Sequence, residues 1–254
     1  MAEHRDVVVI GAGQAGLATS YYLTDAGCDH VVLERDRVGE RWRSERWDSF
    51  TLVTPNLLTR LPGFPYEGDD PDGFLTRDEV VEYLDAYVDR FDPPLRTGVE
   101  VLAVRQIDTG YTVETTDTTY ETTNVVVATG PFQRPRIPEF GAVFPSSIRQ
   151  LHTRQYRNPD QLDPGGVLVV GSGQSGTQIA QELHESGRDV YLSVGKAAKA
   201  PSVPREGHRQ VDGCHGWIRG DRRRPGLARS PMRTQSLRLG QGRRPGDRPP
   251  RSHR

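Results

Sequence analysis

Lysine is nearly missing from this chain. It occurs only at Lys196 and Lys199, so almost all positive charge is arginine. Cysteine is as scarce. Cys28 and Cys214 lie far apart and form neither a CxxC nor a CxxxxC pair. That spacing argues against dithiol redox chemistry and fits a reducing compartment. No apolar run approaches the roughly 20 residues of a membrane-spanning helix. A mean hydropathy of −0.64 and an apolar share of 34% read instead as a soluble chain with no membrane partner. The charged start, MAEHRD, leads straight into apolar residues without a secretory pattern, so a cytoplasmic location is expected. No Ser-His-Asp or paired-cysteine arrangement marks a protein nucleophile.

The 254 residues suffice for one large or two modest domains. Their net charge of −1 hides an asymmetry. From Arg205 onward there are 14 arginines against 4 acidic residues, so the body before it is strongly acidic. In 205–254, Arg, Gly and Pro make up 27 of 50 residues, with no apolar period of 2 or 3.6. Such a segment cannot bury enough surface to offset its ordering entropy, so disorder is expected. Three readings compete for it. A nucleic-acid-binding arm is disfavoured, because Trp217 is its only aromatic residue. A solvated natural tail is the second. The third is a shifted reading frame, since out-of-frame G/C-rich DNA is translated largely as Arg, Gly, Pro and Ala. The abrupt loss of acidic residues near Pro204 favours this last reading.

Two stretches in the body carry chemistry, VVVIGAGQAGLA and VLVVGSGQSGTQIA, with their leading glycines at 11 and 171. Each is an apolar strand pattern that breaks into Gly-x-Gly-x-x-Gly and turns helical. In the first, residues 5–10 predict a buried strand. Gly11, Ala12, Gly13, Gln14, Ala15 and Gly16 follow, then a helix ending near Gly27 and a parallel strand at 30–34. The glycines serve a tight turn, close approach of a pyrophosphate, and close helix–strand packing. The helix N-terminus offers N–H groups and partial positive charge to phosphates. Glu34, 23 residues after Gly11, stands where an acid grips ribose hydroxyls.

The second stretch runs through Gly171, Ser172, Gly173, Gln174, Ser175 and Gly176 into a helix to about Glu185, then DVYLSV. Aligning the ends of the two second strands puts Ser193 opposite Glu34. Without an acid there, and with Lys196, Lys199 and Arg205 beyond, this loop is expected to prefer NADPH to NADH. The first loop, with its acid, suits the ribose of FAD or NAD.

The rest of the body reads more simply. Thr76-x-x-Glu79 is a capping-box pattern opening a helix with an apolar face of Val80, Val81, Leu84, Val88 and Phe91. Residues 99–127 alternate and predict a small antiparallel meander with turns near Gly110 and Asp117. It ends in VVVATG, read as a buried strand reaching Thr129-Gly130, where backbone can approach a cofactor. Pro131–Pro164 is proline-rich and aperiodic and reads as a connection.

GAGQAG, Glu34-Arg35, VGERWR (38–43), RWDSFTLVTPN (46–56), ATG, QLHTRQYRNP (150–159) and GSGQSG together resemble the flavin-containing monooxygenase family. Within it, the chain is similar to the NAD(P)/FAD-dependent, CzcO-like oxidoreductases. The resemblance covers about residues 5–204. It implies an α/β fold with two Rossmann-like βαβ units and a small antiparallel meander, to which the composition adds the disordered basic C-terminal tail. It implies an FAD-binding domain (1–135), a connecting segment (136–164) and the start of an NADPH-binding domain (165–204), with the tail (205–254) beyond it. It also makes Arg35, Trp42 and Arg43 neighbours of FAD, from the segment that follows the ribose acid. His152 and Tyr156 match part of the family fingerprint, while Ser146 and Ile148 stand where Phe and Gly belong. His152 is accordingly a structural or gating residue.

The implied reaction uses NADPH to reduce FAD, and a C4a-peroxyflavin then oxygenates a small organic substrate with O2. Family members run well past 254 residues. A non-catalytic fragment of such an enzyme is therefore an open alternative, as is a reductase built on the same two-dinucleotide plan.

Overall fold

The computed structural model describes residues 2–195. Lys196, Lys199, Arg205 and the basic tail lie outside the described residues. Residues up to Asp163 belong to one compact unit, and those from Pro164 to a second.

In the first unit, β1 (Glu3–Ile10) leads through α1 (Gln14–Asp25) to β2 (His30–Glu34). A short α2 (Glu40–Glu45) and a hairpin of β3 (Arg60–Leu61) and β4 (Phe64–Pro65) follow. Then α3 (Arg77–Phe91) returns the chain to β5 (Leu95–Thr97). Three longer strands complete it: β6 (Val101–Ile107), β7 (Gly110–Thr115) and β8 (Thr119–Val127).

The sheet order is β5-β2-β1-β8-β7-β6. The first four strands are parallel, and β7 and β6 are antiparallel additions. The expected meander exists but does not stand apart. Its last strand runs beside the whole of β1, with Glu3 opposite Tyr120 and Ile10 opposite Val127. The apolar run in β1 follows from burial on both faces. Val7 and Val9 face a core shared with Leu17, Val32, Leu84 and Tyr87, whereas Val8 faces Val31, Leu33, Val113 and Tyr120. One expectation fails at the end of β8. Val125 and Val126 are only half-buried and Val127 is 70% exposed, so this is not a fully buried strand.

The Thr76 capping box forms as read. Thr76 Oγ1 accepts from the Glu79 N–H at 3.3 Å, and Glu79 Oε2 accepts from the Thr76 N–H at 2.7 Å. Val80, Val81, Leu84 and Tyr87 are the buried residues of α3, with Val88 and Phe91 partly buried against the same core. Sequence reading omitted Tyr87, whose hydroxyl donates to the Pro62 carbonyl at 3.0 Å. Burial pushes its pKa up to about 12.

The proline-rich stretch packs within this first unit. It holds 3-10 turns at Glu139–Val143 and Pro159–Gln161. Tyr156 is buried, and Asp48 accepts hydrogen bonds from Asn158 at 2.7 Å and Arg77 at 3.0 Å. The Asn158 bond first, and Arg77 after it, hold the Asp48 carboxyl below the usual carboxylate range.

The second unit contains β9 (Val167–Val170), α4 (Gln174–Glu185) and β10 (Val190–Ser193), with β9 and β10 parallel. Ile179, Ala180 and Leu183 of α4 are buried, while Leu168, Val170 and Tyr191 are exposed.

Two stability predictions follow from these bonds. Thr76→Ala removes the α3 cap and is expected to cost about 1 kcal/mol in urea unfolding. Asp48 has a depressed folded pKa, so its contribution is present above the unfolded value near 4 and lost as pH falls through the folded value. The deficit of Asp48→Asn, measured by urea midpoints, is therefore expected at pH 7 and to fade below about pH 4.

Candidate dinucleotide-binding sites

The first candidate site begins where β1 ends. The Gly11 N–H donates to the Leu33 carbonyl at 2.7 Å and pins the loop to β2. Gly11 has φ +105, and a Cβ there would stand 2.8 Å from the Ala128 carbonyl oxygen. A Cβ on Gly16 would overlap the carbonyl oxygen of Gly11. Both positions therefore demand glycine, one for conformation and close approach, the other for close approach alone. Gly13 differs. It is the N-cap of α1 at φ −86, ψ −174, and a Cβ there would meet nothing within 4 Å. No side chain caps this helix and no acid sits in its first turn. Gln14, Ala15 and Gly16 thus lead the positive end of α1 into open space beyond the strand ends, which suits a pyrophosphate.

Glu34 closes one side of this crevice. Its Oε2 accepts from the Ala12 N–H at 2.8 Å and its Oε1 from the Asp36 N–H at 3.0 Å. These bonds fix the carboxylate beside the glycine loop, and each oxygen retains acceptor capacity for a ribose hydroxyl. Thr129 and Gly130 follow β8 on the other side, with Gly130 at φ +81. The structure thus brings the Gly11–Gly16 loop, Glu34 and Thr129-Gly130 together at the carboxyl ends of β1, β2 and β8. That is where open α/β sheets bind ligands.

Sequence reading missed two residues that organise this edge. Gln133 Nε2 donates to the carbonyls of Thr129 and Gly130. Arg41 donates to Gln133 Oε1 at 2.7 Å and to the Phe132 carbonyl at 3.0 Å, tying α2 to the loop after β8. Both pairings join residues about ninety positions apart, so no local pattern announces them.

The other expected neighbours have partners of their own. Trp42 is half-buried, 5.6 Å from the Phe50 ring and 5.0 Å from the Arg46 guanidinium. Arg43 pairs with Asp85 at 2.6 Å, and its Nε is buried without a hydrogen bond among the described residues. Arg35 pairs with Asp36 at 3.1 Å and reaches Glu100 at 3.8 Å. The Asp36 hydrogen bond is the main reason its pKa is raised.

The second unit repeats the first βαβ geometry at a constant offset of 160 residues. Gly171 has φ +106, and a Cβ on Gly176 would overlap the Gly171 carbonyl oxygen. Gly173 caps α4 at φ −73, ψ 178 without a side-chain bond. Gly187 repeats the positive φ of Gly27 behind the helix. The loop differs at Ser172 and Ser175, which stand where the first has Ala12 and Ala15.

This equivalence corrects the sequence alignment of the two acid positions. The Gly171 N–H donates to the Ser193 carbonyl at 3.0 Å, the bond that Gly11 makes to Leu33. Ser193 therefore matches Leu33, and Val194 matches Glu34. Matching strand ends misled because β10 stops one residue earlier than β2. Val194 is 57% exposed, so an apolar side chain occupies the position of the acid. Lys196 lies two residues further, outside the described residues.

Gly13→Ala and Gly16→Ala separate the two uses of glycine. Gly16→Ala forces overlap with the Gly11 carbonyl and is expected to destabilise the chain by about 1–3 kcal/mol in urea unfolding. Gly13→Ala keeps an ordinary backbone conformation and is expected to stay within about 1 kcal/mol of the parent. Its methyl group enters the open space before α1, so dinucleotide affinity, read by equilibrium dialysis with FAD, is expected to fall.

Comparison with known proteins agrees with this geometry. The chain is 46% identical over 195 residues to an uncharacterized CzcO-like oxidoreductase of Geobacillus kaustophilus, a match covering 76% of this chain and 55% of that protein. It thus spans about half the length of this relative. A flavin-containing monooxygenase from Stenotrophomonas maltophilia superposes with a TM-score of 0.70 at 28% identity, over 78% of this chain and 59% of that one. A structure of OTEMO in complex with FAD and NADP shares the fold, with a TM-score of 0.57 at 23% identity, over 76% of this chain and 39% of that one. The pyridine nucleotide-disulphide oxidoreductase family matches residues 8–206, and the chain, with its two glycine loops at the ends of parallel strands, belongs to that family.

Proposed function

We propose that this chain is the dinucleotide-binding part of an FAD-dependent, NADPH-using monooxygenase that acts in the cytoplasm on a small organic substrate with O2. The observation that carries this reading is the repeated βαβ geometry with unlike residues at one position, Glu34 in the first copy and Val194 in the second. FAD, when bound, supplies a redox centre that accepts hydride from NADPH and passes electrons to oxygen.

The chain's own residues divide the work of holding the two cofactors. The N–H groups of the Gly11–Gly16 loop would hold the FAD pyrophosphate, and Glu34 would accept from the adenosine ribose hydroxyls. Thr129 and Gly130 would border the flavin end of the crevice, their carbonyls accepting from Gln133, which Arg41 holds in turn. Trp42, its ring beside Phe50 and the Arg46 guanidinium, would border FAD from α2. Arg43 positions α2 through Asp85, and Arg35 stands outside the ribose acid beside Glu100.

In the second unit, Gly171 through Gly176 would hold the NADPH pyrophosphate. Val194 places no negative charge against a 2′-phosphate, which Glu34 in its place would repel. Ser193 contributes its carbonyl to the loop rather than a ribose contact. Lys196, close in sequence, supplies a cation for the 2′-phosphate. Support for a monooxygenase comes from the 28% identical flavin-containing monooxygenase, and support for the cofactor pair from the OTEMO complex.

The test is the visible spectrum of the purified 254-residue chain before and after NADPH in air. A flavin spectrum that bleaches with NADPH and returns with oxygen is expected. Oxygen uptake should outpace reduction of an artificial acceptor. A colourless protein, or a flavin that NADPH leaves oxidised, overturns the proposal for this chain.

A further inference from the structure

Away from the glycine loops, the first unit contains an open cavity of about 500 Å³. Glu45, Pro135, Ile137, His152, Arg154 and Arg157 line it. A volume of this size accommodates a small organic molecule. Its walls are of two kinds. Pro135 and Ile137 are exposed apolar residues on one side. The other side belongs to an arginine cluster in which positive charge exceeds negative.

Glu45 is the one carboxylate lining the cavity, and its side chain is 10% exposed. Arg154 holds it at 2.5 Å and Arg41 approaches it at 3.8 Å. Arg46 stacks over Trp42 and Phe50 and donates to the Glu45 carbonyl oxygen. Arg157 donates to the main-chain carbonyls of Ser44, Arg154 and Tyr156. Asp48 lies near enough to feel the Arg157 charge, but it hydrogen-bonds Arg77 and Asn158. Burial lowers the Arg46 pKa most. Glu45 opposes that, and the like charges of Arg41 and Arg154 add to it. Arg154, Arg41 and Arg46 therefore surround one largely buried carboxylate at a cavity wall that Arg157 also lines. Carbonyl dipoles, Glu45 and the more distant Asp48 leave this charge short of compensation in a partly desolvated place.

We propose that the cavity binds a small organic carboxylate, its anionic head between Arg154 and Arg157 and its apolar body against Pro135 and Ile137. The guanidinium fork suits a carboxylate, and Arg154 already donates to one oxygen of Glu45. The apolar wall favours a ligand with a hydrocarbon body over a bare inorganic anion. His152 borders the site from the same segment, its Nδ1 accepting from the Arg154 N–H at 3.2 Å. The site needs neither cofactor loop, so it stands or falls independently of the monooxygenase reading.

Isothermal titration of the full chain with phenylacetate and phenylacetamide tests this. The two probes share a shape and differ in charge. Phenylacetate is expected to bind saturably with a Kd of about 1 mM or tighter, corresponding to roughly −4 kcal/mol. Phenylacetamide is expected to bind at least about tenfold more weakly, a difference of about 1.4 kcal/mol. Arg157→Gln is expected to weaken phenylacetate to a similar degree, whereas Arg105→Gln on the distant strand β6 leaves it unchanged. Equal binding of acid and amide, an unaltered affinity in a folded Arg157→Gln, or equally tight competition by inorganic phosphate would each overturn the proposal. Where circular dichroism finds Arg157→Gln unfolded, the acid–amide comparison in the parent chain decides alone.

Discussion

The main-chain hydrogen bond from Gly11 to Leu33 closes the turn on which the first unit is organised. It fixes where β1 ends relative to β2. The missing side chain at Gly16 then lets α1 start against the Gly11 carbonyl. With the helix set that close, its uncapped N-terminus opens onto the ends of the parallel strands. Ala128, just past β8, presses on Gly11, so the end of β8 is drawn into the same corner. A Cβ at either glycine would push helix and strand apart, and the crevice between the strand ends would lose its floor.

Each βαβ unit meets this constraint in the same way, down to the φ of its first glycine. Their surroundings are unlike. In the first, Gly11 has Ala128 against it, and Glu34 ties the loop to its neighbours through Ala12 and Asp36. In the second, a Cβ on Gly171 would meet nothing within 4 Å among the described residues, and Val194 replaces the acid. The backbone frame is common to the two units. The residue one position past the paired strand sets the charge that a ribose or its phosphate would meet.

Arginine does much of the long-range fastening that lysine would share in other chains. Arg41 joins α2 to the loop after β8, Arg43 joins it to α3, and Arg154 and Arg157 join it to the segment that ends at Asp163. The planar guanidinium can serve two or three acceptors at once, which suits carbonyl-rich junctions between irregular segments. The same economy concentrates positive charge around Glu45, where the apolar rings of Trp42 and Phe50 accept part of it through stacking.

Local sequence determined the parts whose physics is local. The glycine spacing, the apolar runs and the Thr76–Glu79 cap set the βαβ units and α3, because turn geometry, strand burial and helix capping act within a few residues. The 23-residue step from Gly11 to Glu34 was legible for the same reason: one helix and one strand span it. Tertiary structure decided what depends on distant partners. It attached the meander to β1, exposed Val127 at the strand end, and drew the proline-rich segment onto α2. It also moved the match of Glu34 from Ser193 to Val194, since a hydrogen bond between loop and strand, not the last residue of a pattern, sets that register. The pairings of Arg41, Gln133 and Arg154 join residues about twenty to one hundred and ten positions apart. Sequence periodicity carries no information at that range, and only the folded chain brings their charges and carbonyls together.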